Sequence, residues 1–387
     1  MNPPLSSQAR TNPFLLGHAE ATDWEKAAES CLQQIGYIPA GTNLGFLYVT
    51  DSHASHLKSI LEHFRSETGI QDWVGTVGMG ICASGTEYYA NPAMAVLLGS
   101  FPAESFRVLS TLRDVQLGEL LDIQDWLQRG QRYFGVVHGD PRNGNTPELI
   151  ASLAERLPGG YLVGGLTSSR GEELQIANGI MQGGLSGVIF SAAVDVVTGL
   201  TQGCSPIAGK HVITECERNI IARIDDRPAL DVFYEDIGEI LARDLNRVAG
   251  YIFVGLPMTG AAAGADSGDY LVRNLIGVDT KNKLLAIGDL IEPGQPLQFC
   301  RRDGRSAWDD LQRMLDDLKI RCGHRPPRGG LYYSCLGRGQ NLFGNDSEEL
   351  RAIRSALGDF PLVGFFANGE ISNNRLYGYT GVLTLFL

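Results

Sequence analysis

Three stretches of the chain repeat one order of apolar runs and polar breaks. The last stretch, residues 331–387, begins with an apolar run of strand length and breaks at the glycines around Arg338. A helix start follows, with two glutamates in its first turn, and apolar residues then recur at helical spacing up to Gly358. Two further apolar runs, each typical of a strand, close the stretch. The pattern predicts strand, loop, helix, strand, loop and strand.

The same order occurs twice upstream, beginning with the apolar runs 44–50 and 133–138. In the second copy the helix opens with Thr146-Pro147-Glu148, which combines a cap, a proline at the first helical position and a favourably placed carboxylate. We interpret the three copies as repeated use of one β-α-β-β unit, without the fixed period of a solenoid. The predicted fold class is therefore α/β (α+β), with mixed, mostly antiparallel sheets covered by helices.

The stretch between the second and third copies has a different character. Residues 250–300 indicate a meander of strands, and within them the small, glycine-rich residues 258–269 predict a mobile loop. Pro228 opens a helix, and we place the main domain boundary there. The predicted division is a lead-in with one helix at 1–39, an N-terminal domain at 40–228 and a C-terminal domain at 229–387.

Charge and cysteine spacing narrow the class of protein. A net charge of −12 argues against a nucleic acid or an anionic membrane as the main partner. No apolar run reaches transmembrane length, and the first residues lack the charged and apolar regions of a signal peptide. Seven cysteines without any Cys-x-x-Cys make a disulfide framework improbable. We therefore expect a cytoplasmic protein; the sequence does not indicate its oligomeric state.

Several motifs resemble the FIST (F-box and intracellular signal transduction) family, in its N-terminal and C-terminal domains. They are Gly203-Cys204-Ser205-Pro206 followed by His211-Val212-Ile213-Thr214, Arg301-Arg302-Asp303, Ser334-Cys335-Leu336-Gly337-Arg338-Gly339, Phe343-Gly344, Val363-Gly364-Phe365-Phe366-Ala367-Asn368-Gly369-Glu370-Ile371 and Tyr377-Gly378-Tyr379-Thr380. The resemblance covers nearly the whole chain from about residue 40, and its specific part is C-terminal.

The resemblance implies a sensory module that binds small molecules, such as amino-acid-like ligands, close to signalling partners. Some bacterial members are similar to haem-binding nitric-oxide sensors, and eukaryotic relatives attach the module to an F-box. We expect neither an F-box before residue 40 nor an attached kinase, cyclase or DNA-binding segment. We therefore expect this chain to signal through a separate partner protein.

The sharpest candidate site lies in two adjacent loops of the third copy. Cys335, Arg338, Asn368 and Glu370 follow apolar strands, where loops of α/β proteins converge on ligands. The arginine fork would hold a carboxylate and Glu370 an amine, which suits an amino-acid-like ligand. The alternative is that Arg338 and Glu370 pair with each other while Asn368 caps a turn.

Other candidates point to different functions. Cys204, followed by Ser205, is a reactive thiol or haem ligand in one interpretation and a packed turn cysteine in another. Arg302 would reach the same pocket or form a surface ion pair. His138, at the end of a strand, is the histidine most suited to face a pocket and to bind haem.

No catalytic motif, nucleotide-binding motif or metal-ligand spacing is present, so we predict a sensor without a metal and not an enzyme. The alternatives are a haem-based nitric-oxide sensor, a cysteine-dependent enzyme acting on a small carboxylated substrate, and an interaction scaffold.

Overall fold

The computed structural model describes residues 14–89, 91–116, 118–130, 132–242, 250–257 and 270–387. Within these residues the chain forms three six-stranded sheets, one eight-stranded sheet and helices that cover them. Most neighbouring strands run antiparallel, which confirms the predicted fold class of mixed, mostly antiparallel sheets with helices. The predicted mobile loop 258–269 lies outside the described residues.

The three six-stranded sheets have equivalent strand orders. In spatial order, the first contains β1 (Phe14–Glu20), β6 (Ala93–Gly99), β2 (Leu44–Thr50), β3 (Asp72–Gly78), β10 (Gln175–Ala177) and β11 (Ile180–Met181). The second contains β7 (Phe106–Leu112), β12 (Leu185–Ser191), β8 (Tyr133–Gly139), β9 (Tyr161–Leu166), β24 (Glu370–Asn373) and β25 (Arg375–Tyr377). The third contains β13 (Val196–Gln202), β26 (Thr380–Phe386), β22 (Gly329–Cys335), β23 (Leu362–Ala367), β4 (Gly80–Ala83) and β5 (Thr86–Tyr89).

The sheets interlock because each contains a hairpin from another copy. In every copy the first strand runs parallel to the second and antiparallel to the last. The hairpin between those strands leaves its own sheet: β4–β5 joins the third sheet, β10–β11 the first and β24–β25 the second. The unit in the structure is therefore larger than the predicted β-α-β-β unit, with an edge strand and an exchanged hairpin.

The helices are α1 (Trp24–Ile35), α2 (Leu57–Thr68), α3 (Gln124–Leu127), α4 (Thr146–Arg156), α5 (Ala229–Ala242), α6 (Gly304–Cys322), α7 (Gln340–Phe343) and α8 (Glu348–Leu357), with 3-10 turns at Asp51–His56 and Gly118–Ile123. Helices α2, α4 and α8 connect the parallel strands of the three copies. Each turns an apolar stripe toward its sheet, as the helical spacing predicts. We call the three sheets and their helices the body.

Close packing of the parallel strands requires glycine at one position in each copy. A Cβ added to Gly75, Gly164 or Gly364 would lie 1.8, 1.8 or 1.7 Å from a carbonyl oxygen of the neighbouring first strand. Such an atom would force the strands apart, since buried chains are packed to crystal density. The Val-Gly dipeptides that mark each second strand in the sequence therefore have a steric cause.

The eight-stranded sheet is inserted between β13 and α6. Its strands are β14 (Cys204–Pro206), β15 (His211–Glu217), β16 (Ile220–Ile224), β17 (Arg227–Pro228), β18 (Ile252–Pro257), β19 (Tyr270–Asp279), β20 (Leu284–Ile287) and β21 (Pro296–Arg302). Six of them close a ring, because β21 pairs with β15 on one side and β18 on the other. We call this part the barrel. The predicted boundary at 228 lies inside it, between β17 and α5.

Helix α5 is fixed to the barrel by a histidine between two acids. His211 Nδ1 lies 2.6 Å from Asp225 Oδ2, and its Nε2 lies 2.9 Å from Asp236 Oδ2 on α5. Burial lowers the histidine pKa, but hydrogen bonds to the two carboxylates more than reverse this, and the pKa stands above its usual value. His211 therefore favours its charged form and ties the helix to β15.

Across the described ranges, no helix combines the length and the apolar character needed to cross a lipid bilayer.

Candidate functional site

The barrel joins the body through two neighbouring strands. The chain enters the barrel at Cys204 and leaves it after Arg302, and these two residues are register partners in the pairing of β14 with β21. Cys204 is buried, whereas Ser205 is half-buried on the next position of the strand. The predicted residues Cys204, Ser205 and Arg302 therefore all belong to the connection between barrel and body.

A cleft of about 650 Å³ lies between the barrel and the body. On the barrel side it is lined by β19 and the residues after β20; on the body side, by the β24–β25 hairpin, the following turn and helix α4. Two of the predicted site residues, Cys335 and Asn368, line it. The volume falls in the range of small-molecule sites.

Arg338 does not line the cleft. Its side chain is fully buried, and its Nε and Nη2 donate to Glu349 Oε1 at 2.8 and 2.6 Å. The alternative pairing of Arg338 with Glu370 is wrong, because Glu349 at the start of α8 is the ion-pair partner. Only Nη1 of the guanidinium lacks a hydrogen bond within the described chain.

Glu370 is also fully buried, beside the cleft. Its Oε2 accepts hydrogen bonds from the backbone nitrogen and Oγ1 of Thr380 at 3.1 and 2.8 Å. Its Oε1 receives no hydrogen bond from any nitrogen or oxygen of the described residues. Burial raises the pKa of Glu370 to about 8, so that a large fraction of the side chain is protonated at neutral pH.

Three polar atoms without a hydrogen-bond partner among the described residues belong to side chains at or next to the same connection. A Cβ on Gly203 would lie 3.4 Å from Arg338 Nη1, so this nitrogen points at the strand that enters the barrel. Gln202 precedes that glycine, is the register partner of Thr380, and has an unpartnered Oε1. Sequence reasoning missed Gln202, because a glutamine at a strand end carries no distinctive local signal.

Both candidate thiols remain protonated. Burial raises the pKa of Cys204 to about 12 and raises the pKa of Cys335 far above its usual value. Thiolates, not thiols, act as nucleophiles, so these surroundings do not activate either cysteine. Cys335 lies between the cleft and the Glu370 carboxyl, and its thiol helps to lower the pKa of that acid against the effect of burial.

Arg302 fixes the loop that covers the Arg338 ion pair. Its Nη2 donates to the carbonyl oxygens of Gly337 and Asn341, the latter at 2.9 Å. Because Arg302 belongs to the barrel and the loop belongs to the body, a movement of the barrel would pull on this loop. The side chain of Arg302 thus contacts the predicted site region by hydrogen bonds to the backbone of the loop, and not through a cavity.

His138 lies in the core and not at a pocket, so the expectation that it faces one is wrong. His138 on β8, Tyr48 on β2 and Tyr333 on β22 occupy equivalent positions in the first strands of the three copies. Tyr48 Oη lies 3.1 Å from His138 Nε2 and 3.0 Å from Tyr333 Oη, and all three side chains are fully buried. Burial lowers the pKa of His138 to about 3.

This arrangement does not fit a haem ligand. The rings of Tyr48, Tyr333 and Phe365 lie with their centroids 5.6 to 6.1 Å from the imidazole, which leaves no room for a porphyrin. One ring nitrogen is hydrogen-bonded, and the other is enclosed by the core of the body.

Two arginines that sequence reasoning missed line the cleft. Arg273 on β19 donates from Nε to Asp289 Oδ2 at 2.7 Å, so its charge is neutralised. Arg375 on β25 is half-buried, and its guanidinium has neither an ion pair nor a hydrogen bond with any described residue. A signal existed, since Arg375 follows the turn residues Asn373 and Asn374 in the glycine-rich C-terminal stretch.

Comparison with known proteins gives two family matches and several relatives. The FIST N domain model matches residues 43–227, and the FIST C domain model matches residues 229–373. An uncharacterized protein of Mycobacterium tuberculosis (strain CDC 1551 / Oshkosh) is 31% identical over 378 residues, which cover 94% of this chain and 95% of the relative. An uncharacterized protein of Mycobacterium bovis is 28% identical over 354 residues, 89% of each chain.

Proposed function

The chain belongs to the FIST family, whose domains are associated with signal transduction and small-ligand sensing, and from this premise we propose that it is a sensor of an amino-acid-like metabolite. The observation that carries the proposal is the cleft between barrel and body, next to which buried polar atoms lack partners in the described ranges. The family is known for sensory domains and not for enzymes. The protonated state of both candidate thiols gives no support to a cysteine-dependent reaction.

The chemistry of the unpartnered atoms suits a molecule that carries a carboxylate and an amine. Arg338 Nη1 would donate to the carboxylate, while Glu370 Oε1 and Gln202 Oε1 would accept from the amine. Cys335 and Tyr379 line the cleft in front of these atoms. Tyr379 packs on Phe253 of the barrel, so opening the barrel would free this ring and admit the ligand.

The equivalent positions of the three copies indicate that the fold does not require an acid at residue 370. In the hairpin that joins each sheet, Ile81, Gln175 and Glu370 occupy the same register position. Gln175 is fully buried and hydrogen-bonds with Ser186 and the carbonyl of Gly184. The body thus accepts an apolar side chain or an amide there, and this supports a binding role for the acid.

Signalling would follow from movement of the barrel about its two-stranded connection. A ligand shifts such an equilibrium only by its different affinity for the two states. The changed surface would be recognised by a separate signalling protein. The cytoplasmic location remains part of this proposal.

Thermal unfolding of the full chain with each L-amino acid tests the proposal. A ligand at one hundred times its dissociation constant stabilises the folded state by about 2.7 kcal/mol. Glu370→Gln should remove most of the ligand-dependent shift while it leaves the midpoint without ligand unchanged or higher. Glu173→Gln is the matched control, because Glu173 is another buried acid with an unpartnered oxygen and does not line the cleft.

Two results would contradict the proposal. If no amino acid shifts the midpoint of the wild-type protein, the ligand class is wrong. If Glu370→Gln and Glu173→Gln respond to the ligand equally, the ligand does not bind at the connection between barrel and body.

A further inference from the structure

The outer part of the cleft has a charged group without a partner among the described residues. Arg375 pairs through its backbone with Ser372 in the β24–β25 hairpin, and this strand position places it in the cleft wall. The side chain is half-buried, so its charge is partly removed from water. A partly desolvated guanidinium forms stronger charge-assisted hydrogen bonds than an exposed one.

Within the described part of the chain, the remaining charges of the cleft do not neutralise Arg375. Arg273 and Asp289 form an ion pair with each other, which leaves the arginine of the hairpin as an excess positive charge. The whole chain has a net charge of −12, so the positive cleft is a local feature opposed to the general potential of the protein. Such a feature attracts an anionic group and orients it as it enters.

Neutral amides accompany this charge. Asn368 and Asn374 line the same wall. Amide groups beside a guanidinium supply further donors to the oxygens of a carboxylate or phosphate. The wall therefore has the composition of an anion-binding surface and not only of an apolar groove.

Resting on the proposed function, we propose that the metabolite carries a second anionic group, on its side chain, and that Arg375 binds this group. The α-carboxylate and amine occupy the buried end of the site, and the side chain extends along the cleft to the hairpin. The ligand class is then an amino acid with an acidic side chain, either a carboxylate or a phosphate.

The experiment compares ligands of nearly equal shape and different charge. Binding of glutamate, aspartate and O-phosphoserine to the full chain is measured by calorimetry beside glutamine, asparagine and serine. One lost charge-assisted hydrogen bond corresponds to about a tenfold to hundredfold change in affinity, and we expect acidic ligands to be preferred by this factor. Whichever acidic ligand binds most tightly distinguishes the carboxylate from the phosphate.

Variants of the arginine connect the preference to this residue. Arg375→Gln should reduce the preference for the acidic ligands to about threefold or less without weakening the neutral ones. Arg375→Lys should retain part of the preference, because the charge is kept. Arg305→Gln is the control, since Arg305 is an exposed arginine at the start of α6, outside the cleft lining.

Each outcome either supports or overturns the proposed role of Arg375. Equal affinity for glutamate and glutamine, or a preference that survives in Arg375→Gln, overturns the role of Arg375 while the proposed function stands. Absence of binding by all six compounds overturns the role of Arg375, whereas the proposed function falls only if no L-amino acid shifts the unfolding midpoint. Circular dichroism and the unfolding midpoint of each variant show whether a loss of binding follows from misfolding.

Discussion

Replacement of Glu349 by glutamine is expected to disrupt a buried hydrogen-bond network in the body, of which the Glu349 carboxylate is the common acceptor. Glu349 Oε1 accepts from Arg338 Nε and Nη2 at 2.8 and 2.6 Å and from Tyr332 Oη at 2.6 Å. Its Oε2 accepts from Ser334 Oγ and the backbone nitrogen of Gly339 at 3.0 and 3.2 Å. Five donors thus converge on one carboxylate, and both members of the ion pair are 0% exposed.

The size of the effect follows from what the amide would face. Glutamine offers a single acceptor oxygen, and its N–H groups would point at donors that now lack an acceptor. The charge of Arg338 would also remain in the core without a counter-ion. Leaving a buried charge unpaired costs about 3–5 kcal/mol, and we expect Glu349→Gln to destabilise the protein by about 4 kcal/mol.

Removal of both charges distinguishes the cost of an unpaired buried charge from the cost of the other hydrogen bonds that are lost. The double variant Arg338→Met with Glu349→Leu keeps side chains of similar length and leaves no unpaired charge. Replacement of a buried pair by apolar residues is often close to neutral. We therefore expect the double variant to be less destabilised than Glu349→Gln, although two hydroxyls and one backbone nitrogen lose their acceptor, at about 1 kcal/mol each.

Urea unfolding at pH 7, followed by far-ultraviolet circular dichroism, measures these differences. Glu348→Gln is the matched control, because Glu348 precedes the buried acid, has a side chain that is 43% exposed, and lies 3.7 Å from Arg351 at the surface. Its effect should be below about 0.5 kcal/mol. A value for Glu349→Gln within about 1 kcal/mol of wild type, or a double variant less stable than the single one, would refute this reasoning.

Three further predictions concern stability. The pKa of His211 in the folded protein is raised above 6.5, so its contribution to stability is fully present below pH 6.5 and is lost as the pH rises through the folded pKa. His211→Asn should therefore lower the free energy of unfolding by about 1 kcal/mol at pH 6 and approach wild type at pH 9 in urea unfolding. Tyr48→Phe leaves two buried partners without a hydrogen bond and should cost about 1–3 kcal/mol, whereas Tyr37→Phe, at a side chain 83% exposed, should have no measurable effect. Gly364→Ala should cost about 3 kcal/mol by separating the parallel strands, and Gly144→Ala, where a Cβ meets nothing within 4 Å, should stay near wild type in the same assay.

The local elements could be predicted because their causes are local. Strand β2 occupies the apolar run 44–50 and helix α4 begins at Thr146, as the sequence pattern predicts, since each buries one pattern against the rest of the body. The exchange of hairpins could not be predicted. A hairpin such as β4–β5 presents the same alternation whether it pairs with its own sheet or with β23, so only the assembled core decides between them.

The ion pair of the site escaped prediction for a related reason. Arg338 and Glu349 each have a sufficient local explanation in the sequence, as a loop cation and as a carboxylate in the first turn of a helix. Their burial together depends on how α8 packs against β22, which the spacing of the two residues does not show. The prediction of a ligand-binding fork at Arg338 therefore misjudged how many of its donors are free.

The position of Cys335 and Asn368 at a strand end was easier to predict than the buried ion pair. Cys335 ends β22 and Asn368 follows β23, and the carboxyl ends of parallel strands meet at one edge of a sheet. What this rule omits is the barrel, whose strands β19 and β20 complete the cleft from the other side. Residues such as Arg375 line a cleft only because the inserted barrel covers that edge of the sheet.

The forces that hold the barrel against the body are of the size that a metabolite can change. Tyr379 Oη donates to Asn274 Oδ1 at 2.8 Å, Gln202 Nε2 to the Tyr270 carbonyl at 3.2 Å, and Arg302 to the Asn341 carbonyl at 2.9 Å. Each such bond contributes about 0.5–1.5 kcal/mol, so the three together supply about 1.5–4.5 kcal/mol. A ligand at one hundred times its dissociation constant supplies about 2.7 kcal/mol. Because the two quantities are comparable, a metabolite that binds across the cleft would shift the position of the barrel substantially, whereas a large apolar interface would resist it.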